Sequence, residues 1–261
     1  MNQEVLYEVN NGIALLTLNR PDRRNSFTLS MIHRWADLLI EANTDETVRV
    51  IVVTGAGGAF CAGIDLDELE TIELTPQARR NFLTDEVHRV ARAVEASDKP
   101  IIAAVAGAAV GAGMDMALMC DMRIVAQSAK FAESYVNLGL VPGDGGAYYL
   151  PRLVGTAKAL ELLLTGDTVT GQEAVDLGIA NHVVADELLM DTVMNLAAKI
   201  AAKPPVAVQL IRRTVYQSQN VDLTTALNLV ASQMGVAMLT QDHKEALAAF
   251  REKRPGNFQG K

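Results

Sequence analysis

Three short apolar runs constrain the fold most: "VRVIVVTG" (48–55), "KPIIAAVAG" (99–107) and "MRIVA" (122–126), separated by stretches of helical periodicity. Each reads as a strand buried on both faces, the pattern of a parallel sheet covered by helices. Between them, Met31–Ala42 and Pro76–Ala96 read as helices, the second carrying Phe82, Val87, Val90 and Val94 on one side. Strand and helix alternate, so the fold class is α/β with largely parallel pairing. Ahead of this core, "VLYEV" and "IALLTL" flank Asn11-Gly12, a pair that tolerates the positive φ of a tight hairpin turn. The run "GAAVGAGMDMALMCD" (107–121) reads as a helix, "TAKALELLLTG" and "TGQEAVDLGIANHVV" as helix, short helix and strand, and Glu187–Lys253 as mostly helical. The change at about residue 200 marks a helical C-terminal portion within one continuous unit.

The chain has 261 residues and a formal net charge of -8, which opposes general affinity for nucleic acid or anionic membranes. The longest weakly polar run, "IIAAVAGAAVGAGM", is Gly-rich and shorter than the roughly 20 apolar residues of a membrane span. Cys61 and Cys120 lack metal-ligand spacing, and the start "MNQEVLYEVN" is acidic, unlike a signal peptide. A reduced, cytoplasmic protein is expected. His33, His88, His182 and His243 are scattered without metal spacing, so no metal is expected.

Two glycine clusters each follow a buried strand: Gly55, Gly57 and Gly58, continued by "CAG" (61–63), and Gly107, Gly111 and Gly113. Phe60 stands where a dinucleotide-binding turn needs its third glycine, and "DLDELE" is an awkward neighbour for pyrophosphate. Small-residue turns also let backbone N–H groups approach a ligand; the alternative is close packing of helix on sheet. Asp115 lies within the second cluster's apolar surroundings. An unpaired carboxylate is expensive to bury there, so it is either hydrogen-bonded for structure or kept for chemistry.

Read together, "NRPDRRNSF", "GAFCAGIDLDEL", "KPIIAAVAGAAVGAGMDMALMCDMRIVAQSAKFAESYVNLGLVPGDGGAYYLPRLVG", "TGQEAVDLGIANHVV" and "FREKRPGNF" resemble the enoyl-CoA hydratase/isomerase, or crotonase, family. The match runs in order over nearly the whole chain. It implies a crotonase-like ββα spiral over 1–200 carrying the active site, and a helical region over 201–261 for oligomerisation and coenzyme A contact. A homotrimer or dimer of trimers, an acyl-CoA thioester substrate, and no cofactor beyond the coenzyme A moiety of that substrate are expected with it.

In the family two backbone amides hold the thioester oxygen, and the matching positions are Ile64 and Ala112. Losing one such donor typically costs about 2.7–4 kcal/mol in the transition state. Asp115 matches a position where hydratases carry a catalytic Glu and some isomerases an Asp. The second hydratase Glu is replaced by Tyr135, whose phenol, with a pKa of about 10, is a poor base at neutral pH. A double-bond shift needs only one base, so the isomerase reading gains. Glu133 shares the face of Tyr135 if the segment is extended, but not if Ser134 caps a helix starting there. Asp144, in "PGDGG", either reaches the acyl chain or serves as a turn residue. Asp121, at the expected helix end, reads as structural.

For the coenzyme A the resemblance points to Arg23, Arg24, Ala62, Asp65 and Lys253, the alternative for the cations being ordinary charged surface. Asp67 stands where several relatives carry lysine, and Ile64 where many carry a smaller residue, which would narrow the pocket beside the thioester.

Overall fold

Asn11 and Gly12 take φ of +52° and +78° and join β1 (Val5–Asn10) to β2 (Ile13–Leu18), as the hairpin signal requires. The structure, a computed structural model, describes residues 3–261. After β2 come α1 (Leu29–Thr44), whose Met31 N–H is capped by Thr28 Oγ1 at 3.1 Å, and β3 (Val50–Gly55). Next are α2 (Leu66–Thr71), α3 (Pro76–Asn81), a π-helical turn over Phe82–Val87, α4 (His88–Ala96) and β4 (Ile101–Val105). β5 (Ala108–Val110), α5 (Ala112–Leu118), β6 (Met122–Ala126) and β7 (Lys130–Ala132) lead to a 3-10 turn, Ser134–Leu138. The chain continues through α6 (Gly146–Val154), α7 (Thr156–Thr165), β8 (Thr168–Thr170), α8 (Gly171–Asp176) and β9 (His182–Val184). It closes with α9 (Leu189–Ala201), α10 (Pro205–Ser218), α11 (Leu223–Leu239) and α12 (Gln241–Glu252).

The large sheet has the order β1-β2-β3-β4-β6-β9 and is parallel from β2 onward, as the apolar runs require. Its faces alternate along each strand. Ile51 and Val53 join Trp35, Leu38 and Phe60 on one side, while Val50, Val52, Ile102 and Ile124 meet Leu189, Val193 and Ala197 of α9 on the other. A second, smaller sheet has the order β5-β7-β8, and an isolated bridge adds Cys61 beside Ala109. Each central strand of the large sheet is thus followed by a segment at the small sheet and then a helix. This ββα winding stacks the loop after β3 against the turn before α5.

Three expectations need correction. The run 107–121 is not one helix: Ala108–Val110 pairs with Lys130–Ala132 as a strand, and the helix starts only at Ala112. The helix expected over Pro76–Ala96 is widened by the π turn Phe82–Val87. Short strands β7 and β8, with three residues each, left no readable period and went unrecognised.

The C-terminal helices differ from the rest. α10 and α11 bury no residue, and Leu223, Leu227, Met234 and Leu239 are exposed. Arg212 ties α10 back to the core, donating from Nε to Asp121 Oδ2 at 2.8 Å and from a terminal nitrogen to Val94 O at 3.1 Å. No single helix among the described residues is long and apolar enough to cross a membrane.

Candidate active site

The turn into α5 positions the central carboxylate. Gly111 has φ +52° and ψ -123°, a conformation open mainly to glycine, and its N–H donates to Ala132 O at 2.7 Å. The helix then places Asp115 one turn in, completely buried. At its far end the Arg123 guanidinium donates to the carbonyls of Ala117, Leu118 and Cys120, which satisfies the last turn.

Three side chains converge at Asp115. Tyr135 Oη donates to Asp115 Oδ2 at 2.7 Å and also lies 3.1 Å from Asp144 Oδ2. The Asp144 N–H donates to Asp115 Oδ2 at 3.1 Å. Glu133, 1% exposed, turns its carboxyl toward Asp115, and both its oxygens are buried without a hydrogen-bond partner among the described residues. A Cβ at Gly146 would fall against Asp115 Oδ1 and 2.7 Å from Glu133 Oε1, so only glycine lets the carboxyls approach. Ser134 begins a 3-10 turn with Glu133 at its N-cap, and Glu133 and Tyr135 nevertheless both face Asp115. Asp144 stands beside Asp115 and Tyr135 in the glycine loop before α6.

Burial dominates the electrostatics. It pushes the Glu133 carboxyl up to about 10, helped by the Asp115 charge, and Asp144 up to about 7 for the same reasons. Asp115 is also raised by burial, but the donors around it pull the other way. These donors favour the charge on Asp115, and burial favours the neutral acid form of Glu133. Burial and the neighbouring carboxylates drive the Tyr135 phenol well above its usual range. Such a phenol donates and relays protons but does not serve as a resting base.

Beside this cluster stand two unused backbone donors. A parallel bridge to Phe27 engages Gly63 O and Asp65 N, which skips the Ile64 N–H between them. Ala112 is the first residue of α5, where an amide has no acceptor within its helix. Neither amide has a hydrogen-bond partner among the described residues. Gly63, at φ +92°, brings the loops together: a Cβ there would stand 2.9 Å from Val110 O and 3.5 Å from Ala112 N. Two free N–H groups from loops about fifty positions apart thus lie at one turn, close to a buried carboxylate.

Comparison with known proteins decides the family. The family described as enoyl-CoA hydratase/isomerase matches residues 8–261.

The chain belongs to the enoyl-CoA hydratase/isomerase family.

It is 35% identical to the crotonyl-CoA hydratase of Syntrophomonas wolfei over 257 residues, 98% of each chain. It is 36% identical to the 1,2-epoxyphenylacetyl-CoA isomerase of Escherichia coli over 262 residues, covering both in full. An enoyl-CoA hydratase structure from Bacillus anthracis superposes with a TM-score of 0.95 at 33% identity, over 99% of this chain and 100% of that one. The expected crotonase-type spiral is therefore the observed fold, and the chain is an enzyme of the enoyl-CoA hydratase/isomerase type.

The remaining candidates divide into two groups. Arg23, Arg24 and Ala62 adjoin one another at the outer end of the loop: the Ala62 N–H donates to Arg24 O at 3.0 Å, and exposed Arg23 reaches Asp67 at 3.5 Å. The Asp65 side chain is committed elsewhere, to Arg20 at 2.8 Å and to the Asp67 N–H at the start of α2. Burial raises and the Arg20 contact lowers its pKa, the net shift being downward, so its carboxylate is a fixed strut of the loop. Lys253 ends α12 exposed, and no hydrogen bond or ion pair joins it to this cluster. Asp121 is structural as expected, holding the Ile101 N–H, Arg212 and the Tyr216 hydroxyl. Cys61 is buried, its thiol pushed up to about 12, which rules out a resting thiolate. No group of His, Cys, Asp and Glu among the described residues has the arrangement of a metal site.

One participant escaped the sequence reading. His88 Nε2 lies 2.7 Å from Gly143 O, so the Gly143-Asp144 peptide is held at its oxygen by His88 and at its N–H by Asp115. His88 sits on an amphipathic helix 55 positions from Gly143, and no local pattern links the two. Asp144 also lines a cavity of about 1550 Å³ between α4, α6 and α10, together with Val94, Tyr149 and Val215.

Proposed function

We propose that this protein shifts a double bond along the acyl chain of an enoyl-CoA thioester, with Asp115 as the base. Removing a proton beside a thioester moves an electron pair onto the carbonyl oxygen, and the free amides of Ile64 and Ala112 are placed to receive that charge. An amide of this kind is typically worth about 2.7–4 kcal/mol to the transition state. Arg23 and Arg24 flank the same loop and supply cations for the phosphates of the coenzyme, a local basic pair in a chain of net charge -8. The proton transfer calls on no group beyond the chain and the substrate's own coenzyme A.

The observation that favours isomerisation over hydration is the position of Tyr135. Its hydroxyl spans the two aspartates at 2.7 and 3.1 Å, where a pair of carboxylates would otherwise hold a water for attack. Assembly into a homotrimer or a pair of trimers accompanies this reading, because the apolar side chains of α11 are uncovered in the single chain.

Incubation with conjugated and non-conjugated enoyl-CoAs tests the proposal, with mass and absorbance read together. An absorbance change at constant mass is expected. Gain of water by the conjugated substrate, without any isobaric conversion, would assign hydration instead.

A further inference from the structure

A phenol has a single proton to donate. Yet the Tyr135 oxygen contacts two carboxyl groups, Asp115 Oδ2 at 2.7 Å and Asp144 Oδ2 at 3.1 Å. Both contacts are favourable together only if Tyr135 donates to one carboxylate and accepts from the other as a protonated acid. The surroundings assign the direction. Asp115 Oδ2 has the shorter phenol contact and also receives the Asp144 N–H, two donors on one oxygen, so Asp115 is the anion. Asp144 carries the proton, in keeping with a pKa lifted to about 7 by burial and by Asp115. Each aspartate keeps one buried oxygen, Oδ1, without a hydrogen-bond partner among the described residues.

We propose that Asp115 and Asp144 are a base and an acid joined through the Tyr135 hydroxyl, so that the proton removed from the substrate and the proton delivered to it are different ones. This rests on the isomerisation proposed above. Asp115 takes the α proton of a β,γ-unsaturated thioester, and the electron pair of the broken C–H bond moves onto the thioester oxygen, giving a dienolate. As that pair returns, the γ carbon bonds to the proton of Asp144 and the double bond settles between the α and β carbons. Asp115 is left protonated and Asp144 ionised. The Asp115 proton then passes to the Tyr135 oxygen while the Tyr135 proton passes to Asp144, which restores the starting state with no net change in the protein. Tyr135 touches both aspartates and acts through them; it is a positioning and relay residue.

The relay has an isotopic signature. A single base returns the proton it removed, whereas the relay delivers one derived from solvent. The probe is β,γ-unsaturated hexenoyl-CoA with both α hydrogens replaced by deuterium, turned over once in ordinary water and read by mass spectrometry. The parent enzyme is expected to give product that has lost one deuterium. Asp144→Asn removes the acid, so the surviving turnover is expected to carry the deuterium to the γ carbon and keep both labels. Tyr135→Phe removes the return path and is expected to slow later turnovers about a hundredfold more than the first, the scale of a lost proton-transfer partner. Retention of both deuteriums by the parent would overturn the relay while leaving Asp115 as base. Loss of label from Asp144→Asn equal to the parent, or a first turnover in Tyr135→Phe slowed as much as later ones, would also overturn it. A parent that does not convert this probe would overturn the isomerisation and the relay together.

Discussion

At Asp115, burial favours the neutral acid while the surrounding donors favour the anion, the net shift being upward from the usual carboxylate range. Asp115→Asn keeps the shape and removes the base, so kcat is expected to fall by about 10²–10⁴ with the melting temperature retained. A kcat close to the parent's would remove the assignment. Glu133 has a different signature. Its folded pKa is about 10 against a usual 4.5, so between these values the folded chain holds a proton the unfolded chain has lost. Stability from this site is therefore highest below 4.5 and declines as pH rises toward 10. Glu133→Gln removes the titration, and thermal unfolding across that window should show the variant gaining on the parent as pH increases. A gap that does not change with pH would mean that Glu133 titrates normally.

At the scale of elements, the site depends on turns that bring backbone into close approach. Gly146→Ala adds a methyl between Asp115 and Glu133, and turnover is expected to drop sharply while circular dichroism stays unchanged. Full activity in that variant would show that the carboxyl cluster is not held as tightly as described. Thr28→Ala, which removes the cap of α1 and the hydroxyl's hydrogen bond to Glu4, is expected to cost about 1–2 kcal/mol in denaturant unfolding without altering turnover. The same distinction explains what the sequence disclosed. The hairpin at Asn11-Gly12 and the strands at Val50, Ile101 and Met122 follow from local turn chemistry and apolar runs, so they were legible. Asp115, Tyr135 and Asp144 stood out as residue types at motif positions. Their hydrogen bonds span up to 29 positions, and the contact of His88 with Gly143 spans 55, so no local window contains them. The start of α5 was misplaced because Ala108–Val110 has no strand period of its own and becomes a strand only by pairing with β7.

Over the whole molecule, the ββα winding buries a large parallel sheet and leaves one helical region uncovered. α11 exposes Leu223, Leu227, Met234 and Leu239, apolar side chains that the single chain leaves uncovered. Light scattering is expected to give the mass of three or six chains, and replacing Leu223 and Leu239 by Asp is expected to lower it. A parent running as a monomer would contradict the assembly. The central claim, however, is that the amides of Ile64 and Ala112 act on one oxygen within reach of Asp115. A crystal structure with an unreactive acyl-CoA thioester tests it most directly. The thioester oxygen is expected at about 2.7–3.1 Å from both nitrogens, with the α carbon facing the Asp115 carboxyl. A thioester oxygen bound away from either amide, or an α carbon turned from Asp115, would contradict the account.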